Sequence, residues 1–158
     1  LESIAKIKDL KRIRYTSPHP QDMSEEVINV MNDYENICNY VHLPLQSGSN
    51  RILERMNRTY SRERFIDLYH SIKEKLKNVG VSTDIIVGFP GESDQDFEYT
   101  ISLMEEVKFD SAFTFKYSSR PGTKAANYTD NIDEAEKQVR LQKVIDLQKI
   151  QLYLAKCH

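Results

Sequence analysis

The sequence predicts an α/β fold built as a (β/α) barrel or an open part of one. Short strand-like segments alternate with amphipathic helix-like segments, the pattern of parallel strands joined by crossover helices. Each strand-like segment also has one apolar and one more polar face. A doubly wound sheet buries both faces and reads apolar throughout, so a polar lumen fits better. In barrels of this kind sites gather at the C-terminal strand ends, and here those ends are Thr16-Ser17, Gln46-Ser47-Gly48, Gly88 and Ser118.

The first strand is placed at about 10–16, "LKRIRYT". A helix at 24–34 starts on Ser24, with Glu25 and Glu26 suited to the positive helix end. The second strand, 39–46 "NYVHLPLQ", sets Val41, Leu43 and Leu45 against Tyr40, His42 and Gln46. A helix at 49–57 follows. The next, at 61–78, carries Phe65, Leu68, Tyr69, Ile72 and Leu76 at i, i+3, i+4, i+7 and i+11. The third strand, 80–88, sets Val81, Thr83, Ile85 and Val87 against Ser82, Asp84, Ile86 and Gly88. Ser93 with Asp96 opens a helix at 94–108 in the manner of a capping box. The fourth strand, 111–117, sets Phe113, Phe115 and Tyr117 against Thr114, Lys116 and Ser118, with the aromatic face assigned to the helices. A loop at 118–131 leads to a last helix at 132–156.

The 158 residues suffice for one domain with a core, and 39% hydrophobic with 29% charged residues is ordinary for a globular chain. A formal charge of -2 gives no global pull toward nucleic acid or anionic lipid, so any RNA contact needs a local basic patch. There is no apolar run of membrane-spanning length and no signal peptide at the start. Cys38 and Cys157 have neither metal nor disulfide spacing, which favours a reducing, cytoplasmic setting. The opening "LESIA" reads as the tail of a helix and the close as the interior of one, so a piece of a longer protein is expected.

Chemistry concentrates in "STDIIVGFPGESDQDF", residues 82–97. Phe89-Pro90-Gly91-Glu92 suits a type II turn. Gly88 either serves this strand-to-helix connection or clears space for a ligand. Asp84 must be solvated, paired or ligand-bound inside a barrel; pairing with Lys116 and contact with a ligand are equally open. Gln46 and Ser47 lead into the helix of Arg51 and Arg58, where they cap the helix or present donors to a ribose or carboxylate. Arg58 is a fork-shaped donor suited to a carboxylate, although most helix arginines are simply solvated. His19 and His42 read as satisfied structural residues, and no metal-ligand spacing or nucleophile–histidine arrangement is visible.

Four stretches carry a resemblance: "RIRYTSPHP" (12–20), "VHLPLQSGSNRILERMNRTYSRE" (41–63), "STDIIVGFPGESDQDFEYT" (82–100) and "FDSAFTFKYSSRPGTKAA" (109–126). Together and in order they resemble the tRNA methylthiotransferases, which are radical S-adenosylmethionine (SAM) enzymes. "TSPHP", "HLPLQSGS" and "SAFTFKYSSRPGT" resemble the MiaB branch, which methylthiolates C2 of N6-isopentenyladenosine beside the tRNA anticodon. The alternatives are the branch acting on threonylcarbamoyladenosine and a non-catalytic domain binding RNA or a partner.

The resemblance implies a TIM-barrel-like (β/α)6 partial barrel of which residues 1–158 form the C-terminal portion. It implies SAM, tRNA, a reductant and two 4Fe-4S clusters in the whole protein. The CxxxCxxC loop, the N-terminal domain and the RNA-binding TRAM domain all fall outside this chain, which is expected to hold no cluster and to be inactive alone. "DIIVGFPGE" resembles the family's GxIxGxxE-like strand, with Asp84 at the first glycine position and Glu92 one place late. By the same resemblance Gln46, Arg58 and Asp84 contact the ribose and carboxylate of SAM, Ser47 and Gly88 adjoin it, and the segment with Lys116 and Tyr117 flanks its adenine. Weak self-association through the edge at 10–16 or the open lumen is also expected.

Overall fold

The computed structural model describes residues 1–16 and 19–156. Six α-helices run in order: α1 Glu2–Ala5, α2 Glu25–Asp33, α3 Asn50–Arg55, α4 Arg62–Lys75, α5 Asp94–Val107 and α6 Glu134–Lys156. Three strands, β1 Tyr40–His42, β2 Gly80–Val87 and β3 Ser111–Lys116, form a parallel sheet in the order β1-β2-β3. This is the arrangement of a barrel open along both sides, with the helices on its outer face. Among the described residues no helix is long and apolar enough to cross a membrane.

The helix periodicities translate directly into burial. Phe65, Leu68, Tyr69 and Ile72 of α4, and Phe97, Leu103, Met104 and Val107 of α5, pack with Val81, Ile85 and Val87 of β2. Each such side chain contributes about 1.5–3 kcal/mol by leaving water. The Ser93–Asp96 capping box is present, whereas Ser24 starts α2 without a side-chain cap hydrogen bond.

The Asp96 carboxylate does more than cap. Ser49 Oγ donates to it at 2.6 Å, and Arg51 and Ser93 donate as well. Burial pushes the carboxyl up, but these hydrogen bonds outweigh it and hold Asp96 well below the usual range. A depressed folded pKa contributes stability above the unfolded value, about 3.9, and loses it as pH falls toward the folded value. Asp96→Asn is therefore expected to lower stability by about 1.5–3 kcal/mol at neutral pH. Its denaturation curves should converge on those of the wild type as pH drops below about 4. A constant difference down to pH 2 would place the loss in packing rather than charge.

Three differences from the sequence reading have clear causes. The segment 10–16 is not a strand: Ile13 alone bridges to Ile37, donating to Asn36 O at 2.7 Å and accepting from Cys38 at 2.9 Å. A ladder-bearing edge for self-association is thus missing there. The second strand stops at His42 because Pro44 has no N–H to donate. Register passes from His42↔Ser82 to Gln46↔Ile85, so β1 gains one residue on β2, a bulge. Thr83 Oγ1 bridges the gap, donating to Leu43 O and accepting from Leu45 N.

The third difference inverts β3. Phe113 lies opposite Asp84 and Phe115 opposite Ile86, so both aromatics share the lumenal face, where each is half exposed. Lys116 lies opposite Val87 on the helix side and pairs with Glu134 of α6 at 3.0 Å, not with Asp84. α6 can cover a polar strand face because its own inward residues include Lys137, Arg140 and Gln148. Gln148 Nε2 donates to Phe109 O at 3.0 Å and Gln151 Nε2 to Met104 O at 2.7 Å.

Candidate functional site

A cavity of about 990 Å³ opens at the C-terminal end of the sheet, under the loop that follows β3. Five residues singled out from the sequence line it, Gln46, Arg58, Asp84 and Tyr117 on its walls and Lys116 on its rim. Each is held there by a different local device.

Gln46 follows the bulge with φ of 68° and is locked between Asp84 O and Ile86 N, at 2.8 and 2.9 Å. Tyr60 braces the same turn, donating to Pro44 O and Leu45 O, and burial pushes its hydroxyl up to about 12. Arg58 lies past the end of α3, not within a helix. Asn57, at φ 58°, turns the chain left-handed; its N–H reaches Glu54 O, and that of Arg58 reaches Leu53 O. This paired pattern is the Schellman motif, and it fixes the Arg58 backbone at the cavity edge. Arg58 Nε is buried with no partner among the described residues.

Asp84 is held by a side-chain relay. Tyr40 OH donates to Ser82 Oγ at 2.6 Å, and Ser82 Oγ lies 2.7 Å from His42 Nδ1. The other ring nitrogen of His42, Nε2, lies 3.1 Å from Asp84 Oδ2, so the imidazole bridges Ser82 and Asp84. His42 is thus satisfied at both nitrogens, as the sequence suggested, and is the partner of Asp84 that the sequence did not reveal. Tyr117 reaches the cavity beside Phe89, ring centroids 5.0 Å apart, and its hydroxyl is buried without a partner among the described residues.

Ser47, Gly88 and Lys116 behave differently. Ser47 is fully buried, and its Oγ accepts from Ser49 N at 3.2 Å, away from the cavity wall. Gly88, at φ 71°, leaves room for the Lys137 stem, which a Cβ there would meet at 2.4 Å. Lys116 is on the rim, but its ammonium group belongs to Glu134. Glu92, read from the sequence only as part of a turn and a motif, is a structural hub. It accepts from Gly88 N–H and Arg140 at 2.8 Å each, and burial pushes its carboxyl up. The turn Phe89–Glu92 closes as expected, with Glu92 N donating to Phe89 O at 2.8 Å, and Arg51 and Arg55 of α3 clamp its carbonyls. Arginines at i and i+4 of a short helix facing a Pro-Gly turn were the available signal.

Cys38 accepts from Arg12 Nε at 3.1 Å, Cys157 lies outside the described residues, and among those residues no group of three or more His, Cys, Asp or Glu side chains is placed to hold a metal ion.

The sequence description of the Radical SAM superfamily matches residues 1–104. The chain belongs to the radical SAM superfamily. The superfamily barrel is also seen in coproporphyrinogen III oxidase (HemN) from Escherichia coli, described as a radical SAM enzyme: TM-score 0.71 and 19% identity over 85% of this chain and 31% of that one. Much more similar in sequence are proteins named tRNA-2-methylthio-N(6)-dimethylallyladenosine synthase. That of Natranaerobius thermophilus is 46% identical over 94% of this chain and 33% of the relative. That of Carboxydothermus hydrogenoformans is 48% identical over 94% and 34%, and that of Clostridium tetani 45% over 93% and 32%. This radical SAM chain therefore spans about one third of the length of those relatives.

Proposed function

We propose that the chain is the C-terminal portion of the radical SAM barrel of a tRNA methylthiotransferase acting on N6-dimethylallyladenosine. On this reading the cluster-binding loop and the remaining domains belong to other parts of a full-length protein some three times as long, which works on tRNA in the cytoplasm with an electron donor. The relatives' names support the substrate. The observation that carries the cofactor reading is the pair of buried, unpartnered polar atoms, Arg58 Nε and Tyr117 OH, in residues that line the same cavity as Gln46 and Asp84.

That donor and acceptor set fits SAM. A carboxylate such as Asp84 accepts both hydroxyls of a ribose, and a guanidinium such as Arg58 clamps an amino-acid carboxylate. Phe89 and Tyr117 offer an aromatic corner for an adenine face. When bound, SAM together with a reduced 4Fe-4S cluster supplies the one-electron chemistry; the residues here bind, orient and screen it from water. On this reading both clusters are assigned to other segments of the full-length protein.

In the full-length protein, Asp84→Ala and Arg58→Ala are each expected to weaken SAM binding by about 10- to 150-fold, the loss of one charge-assisted hydrogen bond. Calorimetric titration of variants that melt like the wild type measures this; unchanged affinity in both returns the two residues to a structural role. Incubation with SAM, reductant and an anticodon stem-loop bearing N6-dimethylallyladenosine tests the substrate, read as the mass of a methylthio group replacing hydrogen. Turnover only with the threonylcarbamoyl nucleoside would overturn that assignment.

A further inference from the structure

The loop after β3 is exposed, yet it is rigidly built. Arg120-Pro121-Gly122-Thr123 forms a type II turn: Thr123 N donates to Arg120 O at 3.3 Å and Gly122 has φ 84°. Thr123 Oγ1 donates to Arg120 O at 2.8 Å and accepts from Ala126 N at 3.3 Å, capping a 3-10 helix at Lys124–Asn127. Tyr128 beyond it lies under the guanidinium of Arg55, 4.6 Å from ring centroid to Cζ. Local hydrogen bonds and a prolyl ring thus fix the segment in place.

What this turn presents outward has no use within the described residues. Arg120 and Lys124 are exposed on either side of the turn at the mouth of the cavity, and neither has a carboxylate within ion-pairing distance among the described residues. A Cβ at Gly122 would meet nothing within 4 Å, so the tip faces open space. The cavity below adds Arg55 and Arg58, facing Glu54 and Asp84, while the Lys116 ammonium on its rim is paired with Glu134. A chain of net charge -2 has therefore concentrated unpaired cations on one rigid rim.

We propose that Arg120 and Lys124 form a phosphodiester-binding rim that seats the RNA backbone flanking the nucleotide entering the cavity. The inference rests on the tRNA reading above and adds the surface that meets the RNA. A preorganised turn binds without an ordering cost, and two cations at a cavity mouth match phosphates on either side of a nucleotide turned inward. Phosphate contacts position the RNA and carry no sequence information, so the rim acts alike on modified and unmodified RNA.

The test is the salt dependence of binding by the full-length protein to an anticodon stem-loop, with and without N6-dimethylallyladenosine. Each single-strand phosphate that the protein no longer neutralises lowers the slope of log K against log salt by about 0.7. Arg120→Gln with Lys124→Gln is expected to lower the slope by about 1.4 for both RNAs and to weaken binding at low salt. A control pair, Lys8→Gln with Lys11→Gln, should leave the slope as it is. If wild type binds RNA and the rim variant matches it, or the control pair lowers the slope equally, the rim is overturned and the tRNA reading stands. Wild-type protein that binds neither RNA overturns the tRNA reading, and the rim with it.

Discussion

Arg140→Met is expected to destabilise the chain by about 3–5 kcal/mol, the loss seen when one partner of a buried ion pair is removed. Arg140 is 4% exposed and divides its fork among three carboxylates: Nη1 on Glu92 Oε2 at 2.8 Å, Nη2 on Asp94 at 2.7 Å and Nε on Glu136 at 2.8 Å. The same Nη1 reaches Glu92 O at 3.1 Å, so one side chain of α6 holds the turn that ends β2. Asp94 and Glu136 can return to water, but Glu92, 3% exposed, cannot. The cost is the buried Glu92 charge left behind. For a chain of this size it corresponds to a fall in Tm of roughly 6–20 °C.

Two companion measurements separate this cause from lost packing. In the Arg140→Met background, Glu92→Gln removes the uncompensated charge and keeps an acceptor for the Gly88 N–H. The double variant should therefore recover at least about 1 kcal/mol relative to Arg140→Met alone, a coupling readable by a double-mutant cycle. Burial already pushes the Glu92 carboxyl up, and removing Arg140 takes away a group that opposes this. A folded pKa raised above the unfolded one gives stability that is full at low pH and lost as pH rises through the folded value. The single variant should accordingly gain stability relative to wild type on acidification from pH 7 to pH 5. Additive losses and a pH-independent difference would show that Glu92 is not the source.

These residues mark the limit of what the sequence displays. The helices α4 and α5 were legible because apolar spacing, capping and length agree on them. The turn at Phe89–Glu92 was legible because Pro and Gly fix its geometry locally. Strand parity correctly separated Val81, Ile85 and Val87 from Asp84, since alternation is a property of the backbone. For β3, alternation could not say which set faces outward; that depends on register against β2 and on what α6 presents. An aromatic face was assigned to the helices on the usual expectation of an apolar helix stripe. α6 instead docks through Lys137, Arg140 and Gln148 beside Val144, so the polar set of β3 turns toward it and Phe113 and Phe115 are left in the lumen. The His42–Asp84 pairing was hidden for a related reason, because two residues 42 positions apart meet only through the β1–β2 register.

Gly48→Ala is the second large effect expected, and its cause is a close backbone approach. A Cβ at Gly48 would stand 2.4 Å from Tyr99 O, 2.6 Å from Thr100 Cα and 2.7 Å from Thr100 N, all main-chain atoms of α5 that no rotamer change can move. The loop is pinned there by Gly48 N donating to Thr100 Oγ1 at 2.9 Å and Ser49 Oγ to Asp96 at 2.6 Å. Admitting the methyl group must shift the loop or the helix in a close-packed region, and with backbone on both sides this is expected at the upper end of the usual overpacking cost, about 3 kcal/mol. The same shift displaces Gln46, two residues upstream, so the full-length protein should also lose SAM affinity. Gly122→Ala is the proper comparison. At φ 84° it carries the left-handed penalty of about 1–2 kcal/mol, with nothing within 4 Å of the new methyl group. Urea denaturation of the two variants side by side distinguishes steric from conformational cost. If Gly48→Ala loses no more stability than Gly122→Ala, the loop yields to the methyl group and the close approach to α5 does not fix the cavity wall.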